Sequence, residues 1–385
     1  MGNATVTNDG TGPAAQVATA VVPFTQASHE YTEPFYDSGN LAMGASQFPV
    51  SSLNVPANGY MANIFIEVAC TGGVLGAGAL SADYPFNLLQ NITLSDVNGA
   101  PMYGPIDGYA ALWTNIISGV AFKGDPRQVP DYVGTINATF SLRIPVQISK
   151  HDALGCIANQ NASAAYQISF SLATTAQAFA IAPTTAPTVR IKMALEAWTL
   201  PDDFDRAGRP QAQLPPAHGT MMYHSVFNKI IAVGANNIQF TRMGNLIRYF
   251  LIIARTAAGA RSNGVFPDPV IFSWDARNIM NDTQWYRKQI TWERIPSVAT
   301  MDTGVFAYTF NHSNENKVGD DSPTLWLATV QSTRMELQGS STVAGNLQIV
   351  TCDIAPGEVQ PSDRYVETSA TGFHPQVGAS IAGAQ

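Results

Sequence analysis

The sequence contains few charged residues. Only 12% of its 385 residues are Asp, Glu, Lys or Arg, about half of the ~25% found in an ordinary soluble domain. Surfaces built for solubility usually carry considerably more charge than this. The composition therefore indicates either that the protein is embedded in another phase or that copies of the chain cover much of one another's surface.

Long apolar runs are also missing. The longest weakly polar stretch, residues 68–82, is rich in glycine and is shorter than the ~18–20 residues that a membrane-spanning helix needs. The N-terminal sequence has neither a basic region nor an apolar one, so we expect no secretory signal. Because 45% of the residues are hydrophobic and six are tryptophan, disorder of the whole chain is excluded. These observations favour a folded protein that is covered by copies of itself.

Basic residues are absent from the first third of the chain. Residues 1–122 contain no lysine or arginine but eight of the 28 acidic residues. The remaining 263 residues carry 20 basic and 20 acidic side chains, so the net charge of −8 arises entirely in the first third. Sequence-independent phosphate binding requires a basic surface. We therefore expect no direct binding to nucleic acid.

The patterns that usually carry chemistry are missing as well. The three cysteines, Cys70, Cys156 and Cys352, are far apart in the sequence and odd in number, which argues against a disulfide framework and against a CxxC zinc site. The sequence contains no HExxH zinc motif, no GxSxG nucleophile elbow and no complete GxGxxG loop. We predict that the protein is not an enzyme and uses no cofactor or metal.

Short strand patterns dominate the sequence that remains. Residues 166–174 and 189–200 alternate apolar and polar side chains with a period of two, as half-buried antiparallel strands do. Helical periodicity is limited to residues 108–117 and 282–294, and each of these segments lies in a long connection between strands. The pattern predicts an all-β fold made of two eight-stranded jelly rolls in tandem, with short connector helices.

The chain divides into five predicted segments. Residues 201–219 contain four prolines and a cluster of charges, which is typical of an interdomain linker. The predicted segments are a flexible N-terminal arm (1–30), a first jelly roll (31–200), the linker (201–219), a second jelly roll (220–356) and a mobile C-terminal tail (357–385). A predicted strand that begins at Asn87 precedes the helix of Trp113, and one that begins at Asn245 precedes the helix of Trp285. This order indicates an internal duplication.

The densest basic cluster lies on the second predicted helix. An amphipathic connector helix would explain its composition, but arginine and aromatic residues are also the residue types enriched in protein interfaces. We favour the second interpretation and predict a subunit contact. The candidate contact residues are Trp285, Tyr286, Arg287, Lys288, Trp292 and Arg294.

Several segments resemble a known family, the double jelly-roll major capsid proteins of tailless, internal-membrane double-stranded DNA phages of the tectivirus type. In the first half, residues 86–90 (FNLLQ) open a strand that runs through the turn at 96–99 towards the Trp113 helix. In the second half, residues 244–249 (GNLIRY) resemble the family's Asn-Leu-Tyr-Arg-Tyr segment. Residues 284–285 and 304–308 fit the connection and the strand that come after that segment in the family. The resemblance covers roughly residues 30–355.

The resemblance implies a major capsid protein located in the virion shell and assembled in the host cytoplasm. Its copies would form homotrimers with a pseudo-hexameric outline that tile an icosahedral capsid. The implied partners are neighbouring capsid trimers, penton or vertex proteins, and an internal lipid membrane or minor membrane proteins. Arms of family members reach towards that membrane and can carry basic residues, whereas residues 1–30 here contain none.

Two alternatives remain open from the sequence. The first is a carbohydrate-binding or glycoside-cleaving β-sandwich, since paired carboxylates can occupy such a fold. The second is a viral spike or adhesin built from two β-domains. A capsid protein is expected to form trimers and shells, a glycan-active protein to remain monomeric, and an adhesin to be elongated.

Overall fold

The computed structural model describes residues 21–120, 136–217, 219–275, 277–294, 301–310, 326–329, 332 and 334–355. The helices are α1 (Phe24–Ala27), α2 (Gly108–Ile117), α3 (Thr175–Ala178) and α4 (Gln284–Arg294), with 3-10 turns at Phe86–Leu88 and Asn263–Val265. The strands are β1 (Glu30–Ala42), β2 (Phe48–Asn54), β3 (Tyr60–Thr71), β4 (Ala79–Leu80), β5 (Leu89–Ser95), β6 (Pro101–Ile106), β7 (Thr139–Pro145), β8 (Ile157–Ala158), β9 (Gln167–Leu172), β10 (Phe179–Ile181), β11 (Thr188–Trp198), β12 (Met221–Ile231), β13 (Gly234–Gln239), β14 (Leu246–Thr256), β15 (Val270–Trp274), β16 (Arg277–Asp282), β17 (Val305–Thr309), β18 (Leu327–Ala328), β19 (Met335–Ser341) and β20 (Gly345–Ala355).

The strands form two sandwiches with the same strand order. In the first, a sheet ordered β1-β11-β3-β7 faces β2-β9-β5-β6, and in the second, β12-β20-β14-β17 faces β13-β19-β15-β16. Numbering the eight long strands of each sandwich along the chain gives 1-8-3-6 opposite 2-7-4-5 in both cases. This is a jelly roll repeated twice, and the fold predicted from the sequence is confirmed.

The internal duplication also places the two helices. Helix α2 lies between the fifth and sixth strands of the first roll, and α4 lies between the fifth and sixth strands of the second. The strands preceded by Asn87 and Asn245 are not equivalent, because β5 is the fourth strand of its roll whereas β14 is the third. The sequence order therefore matched two strands that are not equivalent. The two helices that it matched do occupy equivalent positions in the two rolls.

A single sheet runs through both rolls. Strand β6 of the first roll pairs in parallel with β12 of the second, with Tyr103 opposite His224. The result is a nine-stranded sheet that includes β17 at one edge and β2 at the other, with β18 added on β14. The two rolls therefore share backbone pairing as well as side-chain packing.

Strand β14 shows how the chain buries this shared sheet. Its nine residues from Leu246 to Ala254 are all buried, which explains their nearly continuous apolar run. Phe250 and Ile252 point into the core of the second roll. Leu251 and Ile253 point the other way, into the large core that α2 and the first roll contribute. Helix α2 thus extends the first roll over one face of the second.

The end of the predicted N-terminal arm is folded. Phe24 is 1% exposed and packs edge-on against Tyr60 with ring centroids 5.2 Å apart, and β1 begins at Glu30. The prediction of a flexible segment is therefore wrong for residues 21–30, because the apolar Phe24 side chain is buried at the end of the first roll. Residues 1–20 of the predicted arm and the predicted tail 357–385 lie outside the described residues.

The predicted linker packs on the first roll. Ala212 and Leu214 belong to the same small apolar cluster as Phe24 and Trp198, and Val22 forms an isolated parallel bridge with Gln211. The long strands of the two rolls run from Glu30 to Trp198 and from Met221 to Ala355. Within the described part of the chain, no helix is both long and apolar enough to cross a membrane.

Candidate subunit-contact surface

Helix α4 is held at its start by hydrogen bonds from several directions. The Thr283 hydroxyl accepts from the Tyr286 backbone N–H at 3.2 Å, as a helix cap does. The Gln284 side-chain amide donates to the carbonyl oxygens of Asn263 at 2.9 Å and Phe266 at 2.7 Å. These bonds fix the orientation of the helix and hence the direction of each of its side chains.

The three basic residues of the predicted contact point inward. Arg287 is 5% exposed, pairs with Asp282 and lies over the Tyr308 ring with its guanidinium carbon 4.1 Å from the centroid. Lys288 donates to the Asp302 carbonyl oxygen at 2.9 Å, and burial lowers the pKa of its ammonium to about 8. Arg294 donates to the carbonyl oxygen of Thr309. In the isolated chain these cations attach α4 to its own roll.

The three aromatic residues of the predicted contact point outward. Trp285 is 71% exposed, Tyr286 48% and Trp292 43%. Trp285 and Trp292 are seven residues apart, which places them on the same side of the helix two turns apart. Large aromatic side chains exposed together are typical of protein-interaction sites. The structure thus separates the six predicted residues into an inner basic set and an outer aromatic set, and the subunit contact stays a prediction that now centres on the aromatic set.

A second functional feature, which the sequence did not reveal, is the seam where the two rolls meet. Arg248 on β14 is 2% exposed and donates to the carbonyl oxygens of Ile148 at 3.2 Å and Ser118 at 3.4 Å. Both acceptors belong to the first roll. An arginine inside the apolar run LIRYFLII was the available signal, because a buried cation must find partners.

A buried polar chain continues along the seam. His224 Nε2 lies 2.8 Å from the Tyr249 hydroxyl oxygen, which in turn lies 2.9 Å from Ser118 Oγ. Burial, with a smaller effect from Arg248, lowers the pKa of His224 to about 3. The histidine is therefore neutral in the folded protein at neutral pH and is a hydrogen-bonding partner of Tyr249, whose hydroxyl reaches Ser118 of the first roll.

This neutral histidine predicts a specific pH dependence of stability. The unfolded chain takes up a proton near pH 6.5, whereas the folded chain takes it up only near pH 3, so lowering the pH between these values favours unfolding. We expect His224→Gln to remove about 3 kcal/mol of the stability lost between pH 7 and pH 4. Urea unfolding at a series of pH values measures this. An unchanged slope in His224→Gln would contradict the assignment.

An ionic cluster joins the two rolls at another part of the seam. Asp83 of the first roll pairs at 2.7 Å with both Arg255 and Arg261 of the second. Arg261 also pairs with Asp302 at 3.1 Å, and the Tyr109 hydroxyl of α2 donates to that carboxylate at 2.6 Å. The Arg255 and Arg261 guanidinium carbons lie 5.6 Å and 4.7 Å from the centre of the Tyr109 ring. These contacts hold the two rolls in a fixed relation.

Side chains that could bind a metal ion are not gathered within the described ranges. No cluster of three or more His, Cys, Asp or Glu residues there has the geometry to hold a metal ion. The three cysteines are buried and free.

Several solved viral structures share this fold. No protein-family model and no curated protein matches the sequence. A chain from the atomic structure of Sulfolobus turreted icosahedral virus has a TM-score of 0.56 at 13% identity, with 92% of this chain and 96% of that chain covered. The major capsid protein P2 of bacteriophage PM2 has a TM-score of 0.52 at 12% identity, with 86% and 98% covered. The PBCV-1 virus capsid has a TM-score of 0.52 at 14% identity, with 85% and 93% covered. The chain has the double jelly-roll fold of these capsid proteins.

Proposed function

We propose that the chain is a structural virion protein, a major capsid protein with no catalytic role. Its copies associate side by side into pseudo-hexameric trimers that tile an icosahedral shell. The observation that carries the proposal is the duplicated architecture, in which two rolls of identical strand order are fused side by side through one continuous sheet. The likeness to viral capsid proteins over most of the chain supports it.

The duplication has a direct consequence for assembly. Each chain supplies two similar blocks, so three chains supply six blocks around a ring. Head-to-tail contacts between identical chains close into a ring when the rotation between neighbours fits. A ring of six similar blocks has a nearly hexagonal outline, and such units cover a surface without gaps.

The low charge content fits the same role. The sides of a shell subunit are buried against neighbours, and the cores of protein interfaces are depleted in lysine and acidic residues. A chain with 12% charged residues loses little solvation energy when its sides are covered. The exposed aromatic side chains of α4 belong to this pattern.

The further partners and the location follow from the proposed role. They are neighbouring trimers, penton or vertex proteins and an internal membrane or its minor proteins, within a virion assembled in the host cytoplasm. The free, buried state of Cys70, Cys156 and Cys352 suits assembly in a reducing compartment. Burial also raises the pKa of the Cys70 thiol to about 11, which keeps it unreactive.

Negative-stain electron microscopy of the purified chain, or of its source particle, tests the proposed function. We expect compact units with a hexagonal outline, ordered into arrays or shells. Isolated monomers at every concentration, accompanied by binding or cleavage of glycans, would overturn the proposal in favour of a carbohydrate-active sandwich.

A further inference from the structure

We infer that the exposed side of α4 docks on the first roll of a second copy of the chain. The docking surface is the outward face of the β1-β11-β3-β7 sheet, centred on Phe65, Glu67 and Ala69 of β3. The inference rests on the proposed self-assembly and assigns the two surfaces that meet. It is drawn from the way α2 already joins the two rolls inside one chain.

Helices α2 and α4 are held in equivalent ways. The Asp107 side chain caps α2 by accepting from the backbone N–H three residues later, at 2.8 Å, and Thr283 caps α4 by accepting from the N–H three residues later, at 3.2 Å. Eight residues after the cap, Asn115 bonds to the backbone of β7 at Arg143. Eight residues after the other cap, Thr291 donates to the β17 carbonyl oxygen of Ala307 at 2.9 Å. The two helices can therefore be aligned residue by residue.

The alignment shows that the side of α4 equivalent to a buried side of α2 is exposed. Tyr109, two residues after its cap, is fully buried because it lies beneath Arg255 and Arg261 of the second roll. Its counterpart two residues after the other cap is Trp285, which is 71% exposed. Ile116 and Trp292 correspond in the same way, at 2% and 43% exposed. The side of α2 that packs against the next roll thus corresponds on α4 to an exposed aromatic stripe formed by Trp285 and Trp292.

The same alignment identifies the surface that would cover the stripe. Within the chain, α2 packs on the third strand of the following roll, β14. The roll that follows the second roll in an assembly is the first roll of another copy, and its third strand is β3. Arg143 lies opposite Phe65 in the β3–β7 register, and Ala307 lies opposite Leu251 in the β14–β17 register. Since Arg143 and Ala307 hold equivalent helices, Phe65 corresponds to Leu251 and Ala69 to Arg255.

The outward face of the first roll is suited to this contact. Phe65 and Ala69 are partly exposed there, although the inward residues of the same strand, such as Ile66 and Val68, are fully buried. Arg190 lies opposite Ala69 in the sheet. By the alignment, Trp285 reaches the Ala69–Arg190 row, where a guanidinium can lie against its ring as Arg255 lies against Tyr109.

The charges of the two rolls favour contact between unlike rolls. Among the described residues, the first roll from 30 to 198 carries nine acidic and four basic side chains. The second roll from 221 to 355 carries seven acidic and ten basic ones. Opposite net charges attract and like charges repel at an interface. A second roll therefore prefers a first roll as its neighbour, which is the head-to-tail order that the α4 contact requires.

Thiol cross-linking tests the assignment. Trp285→Cys is combined in one chain with Glu67→Cys, Ala69→Cys or Thr71→Cys, three outward positions along β3. Because Trp285→Cys keeps Trp292, we expect it to weaken association by about thirtyfold. Each variant is therefore treated with a short bis-maleimide at a raised concentration at which its mass shows that it assembles. The native cysteines are buried and leave little background. We expect covalent two-chain and three-chain products, most of all with Ala69→Cys. Trp285→Cys alone and the pair Trp285→Cys with Asn98→Cys, an exposed turn residue, should give none of the three-chain product.

The outcomes separate this inference from the proposed function. If the mass shows that the chain assembles and the cross-linker joins Trp285→Cys to β3, both the proposed function and the α4 contact are supported. Assembly with no cross-link to any of the three β3 positions, or with cross-linking between two copies of Trp285→Cys, overturns the α4 contact and leaves the capsid role intact. Failure of the parent chain to assemble overturns the proposed function and the contact with it.

Discussion

Replacing Trp285 and Trp292 together by alanine is expected to abolish association of the chain while each copy stays folded. Trp285 is 71% exposed and Trp292 43% exposed in the single chain, so removing the parts of the two side chains that are already buried lowers the stability of each copy by about 2 kcal/mol. In an interface, a buried tryptophan commonly contributes about 2 kcal/mol or more. Losing two weakens each contact by about 4 kcal/mol, roughly a thousandfold in the dissociation constant. Analytical ultracentrifugation measures the association, and thermal unfolding of the variant measures the fold.

The matched control removes exposed apolar side chains at the end of a roll. Ile230 and Val233 are 83% and 66% exposed and lie at the connection between β12 and β13, away from α4. The double variant Ile230→Ala/Val233→Ala should assemble like the parent. Equal loss of assembly in both double variants would show that general hydrophobicity, and not the α4 stripe, drives association.

Asp83→Asn is expected to destabilise the folded chain by about 3 kcal/mol, because it leaves two mostly buried guanidinium groups without their shared carboxylate. Asp83 pairs with both Arg255 and Arg261, and the three side chains are 12% to 20% exposed. Since the carboxylate belongs to one roll and the cations to the other, its loss also weakens the attachment of the rolls. The free energy of unfolding from urea titration measures the effect.

The control for Asp83→Asn is an exposed ion pair of the same roll. Glu30 pairs with Lys150 at 2.9 Å, with the two side chains 31% and 56% exposed. Glu30→Gln should cost at most about 1 kcal/mol, because solvent screens such pairs. If Asp83→Asn costs no more than Glu30→Gln, the ionic cluster does not hold the rolls together.

The sequence predicted the elements whose periodicity is set by one buried face. Helix α2 was predicted over the residues that form it, because its apolar side chains recur at helical spacing, and β11 was predicted from the alternation that runs through Val189 and Leu195. By contrast, β1 was missed. It is an edge strand with register shifts near Pro34 and Asp37, and such irregular edges protect a sheet from unwanted pairing while erasing the alternation that would identify it.

The site was only partly visible in the sequence, for a related reason. The composition of α4 marked it as a contact helix, but the directions of Arg287 and Trp285 depend on where β17 lies. The seam was not predicted at all. Asp83 and Arg255 are 172 residues apart, and nothing local to either one shows that they meet. Long-range pairs of this kind become apparent only once the two rolls are placed together.

The scarcity of charge now has a more definite location. Several of the charged residues that do occur in the second roll are used internally, since Arg248, Arg255 and Arg261 face the seam and Arg287 and Lys288 face their own roll. The outer side of α4 is left aromatic. The low charge content is therefore a property of the outer surface of α4 as well as of the composition as a whole.

The mass of the purified chain in solution tests the central claim most directly. Native mass spectrometry at rising protein concentration should show a species of three times 41.1 kDa, with no stable species of two copies, because only a closed ring satisfies every α4 contact. A chain that stays at 41.1 kDa at all concentrations, or that stops at two copies, would contradict lateral self-assembly into rings of six rolls.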